Sequence, residues 1–151
     1  MKTALVDIRL DYYTASPDAL KAIMLLEAAN FDLCVEKSLM ELVKLRVSQL
    51  NDCAFCADMH ATQARHNGES ERRLHNLLVW QQSTLFTRRE RAALAWCDAV
   101  TVLDGAGPSD ALYEQLCEHF SDKEVVDLTV AIATINCWNR MAVSFRKKPA
   151  L

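Results

Sequence analysis

Two cysteines and a histidine fall within eight residues of this chain, in the stretch CAFCADMH from Cys53 to His60. Successive residues of an α-helix turn by about 100°, so positions separated by three, four and seven share a face. Both sulfurs and the imidazole therefore point into a common volume if the stretch is helical. Such a set is competent for three kinds of chemistry. Two Cys and one His are acceptable zinc ligands, although no second CxxC and no HxxxH supplies the rest of a site. The cysteines also stand one helical turn apart, at a Cα separation of about 5–6 Å that a disulfide can bridge as a staple. The third possibility is a reactive dithiol.

The reactive reading has support from position. Asn51-Asp52 precedes the cluster, and both residue types favour caps over helix interiors, so a helix begins there and carries the cysteines in its first turns. A helix N-terminus exposes free amides and the positive end of the macrodipole, which favour thiolate over thiol. His60, one turn beyond Cys56, can take the proton of that thiol directly or through one water. A carboxylate would orient the imidazole and stabilise its charged form. Glu41 is the candidate, because it lies about ten residues before the Asn51-Asp52 break and His60 about eight after it. At about 1.5 Å per residue, an antiparallel hairpin brings the two to similar heights. Glu41 also has Lys44 three positions on, the pattern of a solvated outer face, so spacing alone leaves both placements open. His66, His75 and His119 have no comparable neighbours and are read as surface or structural.

The elements that must position these groups are all helical. Three glycines and three prolines punctuate the chain, and the segments between them repeat apolar residues every three or four positions. A helix is expected from Pro17 to Ala29, with Ser16 as its cap, and a second from Leu33 to Leu50. The third carries the cysteine pair until Gly68. A shorter one runs from Ser70 to Trp80, and the capping-box pattern TRRE opens a fifth from Thr87 to Asp104. Ser109 caps a helix through His119, and a second capping box, SDKE, starts the final helix, which ends near Phe145. That last helix is apolar over much of its circumference and belongs at the centre of the bundle or in a subunit interface. The fold expected is an all-α, single-domain bundle of about seven helices spanning residues 1–151, with the CxxC at the start of a helix in an antiparallel hairpin.

Composition bounds the function from outside. The 151 residues suit one domain, and a formal net charge of −3 gives no reason to expect nucleic acid or an anionic membrane as partner. The basic end Arg146 to Lys148 reads as a solvated helix terminus. The apolar segment Leu128 to Asn139 is a charge-free run of twelve residues, well short of the ~20 that span a bilayer. The N-terminal MKTALVDIRL lacks the apolar core of a signal peptide, so the expected compartment is the cytoplasm. In that reducing setting the single cysteines Cys34, Cys97, Cys117 and Cys137 are expected to be small buried hydrophobes. A thioredoxin-like reading of the CxxC fails for want of strands. A dithiol on a helical scaffold can instead attack a peroxide, giving a sulfenic acid that the second thiol condenses with.

The span ELVKLRVSQLNDCAFCADMH, Glu41 to His60, resembles the core of alkylhydroperoxidase D within the carboxymuconolactone decarboxylase family: Glu, eleven residues, CxxC, three residues, His. TLFTRRERAALAW and LTVAIATINCWNRMAVSFR are similar to members of the same family, which extends the resemblance over nearly the whole chain from Leu33. It implies an all-helical subunit that assembles as trimers or hexamers and reduces organic hydroperoxides or hydrogen peroxide without a bound cofactor or metal. Its electrons come from an external thiol donor, such as a dihydrolipoyl group or a small redox protein. By the resemblance Cys56 is the peroxidatic thiol, Cys53 the resolving one, and His60 with Glu41 the proton relay. Helix-terminus electrostatics favour Cys53 for the first role, so the order stays open. Phe55 departs from the family pattern, which has a histidine just before the second cysteine. Trp138, Asn139 and Arg140 resemble a recurrent segment of the family, and are read as packing and helix-end hydrogen bonds or as a shell around the site. The alternatives are a redox-sensing or structural interaction protein, and a decarboxylase-type small-molecule enzyme, whose family members generally lack the CxxC.

Overall fold

The computed structural model describes residues 7–150. Residues 1–6 of the N-terminal stretch weighed above as a signal peptide lie outside them. The described residues form eight α-helices and two single turns of 3-10 helix, with no strand. The helices are α1 (Tyr12–Ala15), α2 (Pro17–Ala29), α3 (Lys37–Leu50), α4 (Ala54–His66), α5 (Glu71–Asn76), α6 (Arg88–Thr101), α7 (Asp110–Cys117) and α8 (Asp122–Ser144). The 3-10 turns are Asn30–Asp32 and Leu77–Val79.

Local signals set most of the helix starts. Thr87 and Ser121 each accept from the backbone N–H three residues on, while Glu90 and Glu124 return the bond to the cap N–H, closing both capping boxes. Ser109 and Ser70 cap α7 and α5 through their side chains. Gly68, at φ 89°, takes the left-handed conformation that ends α4. Four expectations need correction. Ser16 makes no side-chain cap; its backbone N–H instead bonds the Tyr12 carbonyl and closes α1, a short helix that the sequence did not announce. The second long helix begins at Lys37 rather than Leu33, because the Cys34 amide is held by Asp127 at 2.9 Å and the chain runs extended there. The single cysteines are not uniformly buried: Cys97 is, but Cys34 and Cys117 are exposed and Cys137 is intermediate. Finally, Lys147 is not simply solvated, for its ammonium lies over three aromatic rings.

The core is arranged around α3 and α8. Helix α3 packs against α4, α6 and α8, and α8 touches α2, α3, α4, α6 and α7, so it is the central helix of the bundle. Leu39, Val43 and Val47 of α3 meet Leu128, Ala131, Ile132 and Ile135 of α8 in one apolar cluster. Leu42 and Leu45 face the other way, toward Leu74, Leu77, Trp80 and Leu94. Arg46 crosses between helices to Asp98, with two hydrogen bonds of 2.7 and 2.9 Å, and Trp80 Nε1 donates to the same carboxylate. The positions of α3 relative to α6 and α8 are thereby fixed on both faces, which gives its remaining edge a rigid platform for the site.

Candidate functional site

The α3–α4 hairpin is made by Asn51 and Asp52. Asp52 adopts φ 52°, a left-handed conformation that a short acidic side chain tolerates, and the Cys53 N–H returns to the Ser48 carbonyl at 2.9 Å. The turn is anchored from α8: Asn51 Nδ2 donates to both Asn136 and Asn139 at 3.0 Å, and Asn139 donates to Ser48 at 3.2 Å. Asn139 is thus a buried clamp on the turn that presents the cysteines. Arg140 is exposed and bonds Asn136 on its own helix.

Cys53 is the N-cap of α4, and its sulfur accepts from the Cys56 N–H at 3.3 Å. The two cysteines are joined by a disulfide, with Cα atoms 5.3 Å apart, and both are buried. The helix-terminal amide therefore aims at Cys53, while His60 follows Cys56 by one turn on α4. His60 Nδ1 lies 2.9 Å from Glu41 Oε2, so the hairpin brings the two together as the level placement required. Since an ionised carboxylate only accepts, Nδ1 carries the proton in this pair and Nε2 holds the lone pair of the neutral ring. Nε2 is buried and has no hydrogen-bond partner.

Glu41 does not face solvent. Lys44, whose spacing suggested an outer face, is itself largely buried and lies between two carboxylates, 3.9 Å from Glu41 and 3.5 Å from Glu27. Glu27 also accepts from the indole N–H of Trp138 at 3.0 Å. A polar chain of Trp138, Glu27, Lys44, Glu41 and His60 thus runs behind the cysteine pair. Glu27 and Lys44 escaped sequence reasoning as site residues because their partners are 17 and 111 residues distant; no local pattern records such contacts.

Two cavities meet at this chain. One, of about 260 Å³, reaches Cys56 and His60 and is walled by Tyr12, Tyr13, Phe55, Met59, Trp138 and Ala142, with Glu27 and Lys147 as its charged groups. The other, of about 470 Å³, lies toward Phe31, Lys37, Glu41, Lys44, Gln63 and Asn67. Glu27, Met59 and His60 border both. Cys56 lines the smaller cavity and Cys53 lines neither. His66 and His75 are exposed, and neither they nor His119 borders these cavities. Among the described residues, no three His, Cys, Asp or Glu side chains converge to hold a metal ion. No described helix is long and apolar enough to cross a membrane.

The model of the carboxymuconolactone decarboxylase family matches residues 17–99. The chain is 35% identical over 142 residues to the uncharacterized protein YdfG of Bacillus subtilis, covering 94% of this chain and 97% of that one. A solved protein of unknown function from Agrobacterium tumefaciens, ATU0492, described as a candidate antioxidant defence protein AhpD, is 46% identical and matches with a TM-score of 0.93 over 96% of this chain and 99% of its own. The debrominase Bmp8 matches with a TM-score of 0.81 over 91% of this chain and 74% of its own, at 18% identity, a likeness of fold.

Proposed function

This chain belongs to the carboxymuconolactone decarboxylase family, in its alkylhydroperoxidase D-like form, and from that premise we propose that it is a thiol-dependent peroxidase. The observation that carries the reading is the cavity in which Cys56 and His60 meet, with His60 held by Glu41 and its Nε2 buried without a partner. In the reduced protein, Nε2 takes the proton of Cys56, and the Cys56 thiolate attacks the terminal oxygen of a hydroperoxide. The O–O bond breaks; the thiolate becomes a sulfenic acid and the departing alkoxide takes a proton from His60 to leave as the alcohol. Cys53 then attacks the Cys56 sulfur, forming the disulfide and releasing water. Two thiols of an external donor restore the dithiol and are themselves oxidised to a disulfide. The net change is one hydroperoxide and two donor thiols to one alcohol, one water and one donor disulfide.

Only Cys56 lines the cavity, which supports it as the attacking thiol, while the cap position of Cys53 favours its thiolate as resolver. Phe55, where the family pattern has a histidine, contributes an apolar wall to the same cavity, so proton transfer rests on His60 and Glu41. The donor is of the dihydrolipoyl or small redox-protein class, and the compartment is the reducing cytoplasm. The exposed apolar residues Met24, Leu25 and Phe31, at 55, 65 and 74% exposure, support assembly of the subunit into a homo-oligomer, a trimer or hexamer. Light scattering after gel filtration tests that assembly.

The activity is tested by peroxide consumption with dithiothreitol or dihydrolipoamide as donor, wild type against Cys56→Ser. Turnover by the wild type that the variant lacks is expected. Consumption no faster than that of the variant would leave a redox-sensing role, in which the pair oxidises without rapid turnover.

A further inference from the structure

The charged groups at the smaller cavity are not equally satisfied. Glu27 is balanced there by Lys44 at 3.5 Å and by the Trp138 indole N–H at 3.0 Å. Lys147 has no carboxylate within 4 Å among the described residues. It is held instead over three rings, with its ammonium 4.4 Å from the centroid of Phe55, 4.8 Å from Tyr13 and 5.6 Å from Tyr12. The Asp11 carboxylate feels the Lys147 charge from beyond 4 Å, and its hydrogen bonds come from the Tyr13 N–H and the Thr14 hydroxyl. Cation–π contacts position an ammonium, but its three N–H donors remain able to bind an anion.

The wall that presents Lys147 is assembled from both ends of the chain. The Arg9 N–H bonds the Phe145 carbonyl at 3.0 Å, and the Arg9 guanidinium bonds that of Ser144 at 3.1 Å, so α1 is strapped to the end of α8. Tyr12, Tyr13, Trp138 and Lys147 all lie outside residues 17–99, where the family model matches. Its chemistry is that of a small-molecule pocket: apolar and aromatic surface with one placed charge, in a volume of about 260 Å³, below that of a drug-sized ligand site.

Building on the peroxidase reading, we infer that the cavity selects small organic hydroperoxides that carry a carboxylate, with the ring or alkyl body between Phe55, Tyr12, Tyr13 and Trp138 and the carboxylate on Lys147. The hydroperoxide end then lies toward Cys56 and His60. The reaction balances as above, and the product alcohol keeps its carboxylate.

Two paired measurements test this. Calorimetric titration of the oxidised protein with 4-isopropylbenzoate and with neutral 4-isopropylbenzamide reads the anion site without any turnover. The wild type should bind the carboxylate about tenfold more tightly, the scale of one charge-assisted contact, and Lys147→Met should bring the ratio to about one while Lys147→Arg retains it. The second measurement compares kcat/KM for 4-carboxycumene hydroperoxide with that for cumene hydroperoxide. The wild type should favour the carboxylated substrate by a similar factor, and Lys147→Met should lose that preference. Equal binding of acid and amide by the wild type overturns the inference, as does preferential binding when both peroxides are consumed with equal kcat/KM. Preferential binding with no consumption of either peroxide supports the anion site and overturns the peroxidase reading.

Discussion

Replacing Glu41 by Gln isolates the charge of the residue that orients His60. The amide oxygen of Gln can still accept from Nδ1–H across the 2.9 Å contact, so the imidazole keeps its place and its tautomer. What disappears is the carboxylate that stabilises the imidazolium after it takes the Cys56 proton. A hydrogen bond to a charged partner contributes about 1.5–3 kcal/mol and a neutral one about 0.5–1.5, so the loss is about 1–1.5 kcal/mol. At about 1.4 kcal/mol per factor of ten, kcat/KM for cumene hydroperoxide falls about 5- to 12-fold. Lys44 keeps Glu27 as a partner, which limits rearrangement. Glu41→Ala removes orientation as well and should fall about 10- to 150-fold, the full range of a charged hydrogen bond. Initial rates with dithiothreitol as donor read both. Alkylation of Cys56 in the reduced protein by iodoacetamide at fixed pH reads thiolate supply apart from turnover and should slow with Glu41→Gln. A Glu41→Gln enzyme within twofold of wild type in kcat/KM refutes the relay.

Three further outcomes follow from the packing. Asp98→Asn leaves the buried Arg46 guanidinium without its counter-charge and should destabilise by about 3 kcal/mol, seen as a lower thermal midpoint of about 6–12 °C; a shift under 2 °C would remove the pair from the account. Burial, reinforced by Asp98, pushes the Cys97 thiol well above its ordinary range, so peptide mapping should find it unalkylated in the folded protein while the exposed Cys34 and Cys117 have access to reagent. Burial and the adjacent Tyr13 push Tyr12 up to about 12 from an ordinary 10.0. A group that holds its proton more tightly when folded gives stability that is full below pH 10 and lost as the pH rises toward 12; Tyr12→Phe should therefore flatten the fall in thermal midpoint over that window, and an unchanged slope contradicts the assignment.

Much of this architecture is legible along the chain because it is written in neighbours. Thr87 and Glu90, or Ser121 and Glu124, declare a helix start within four residues, and Cys53, Cys56 and His60 share a face by spacing alone. Glu41 was half legible: the hairpin set its height, but only the tertiary partners of Lys44 decide that it faces His60 rather than solvent. The rest of the cavity is invisible locally. Tyr12 and Phe145 come together at a ring separation of 5.5 Å only because α1 and the segment after α8 meet beside α4, and Lys147 turns from a tail charge into a wall of the site by the same meeting. The extended segment before α3 has a similar origin, since Asp127, 93 residues away, captures the Cys34 amide that a longer helix would have kept.

The central claim, that Cys56 attacks a peroxide and Cys53 resolves it, is tested most directly by a single turnover. One equivalent of cumene hydroperoxide is added to the fully reduced protein, and to Cys53→Ser in the presence of dimedone. The account predicts one equivalent of cumyl alcohol and a Cys53–Cys56 disulfide from the wild type, and a dimedone adduct on Cys56 from the variant. An adduct-free Cys56, or trapping on Cys53 when Cys56→Ser is treated alike, would contradict it.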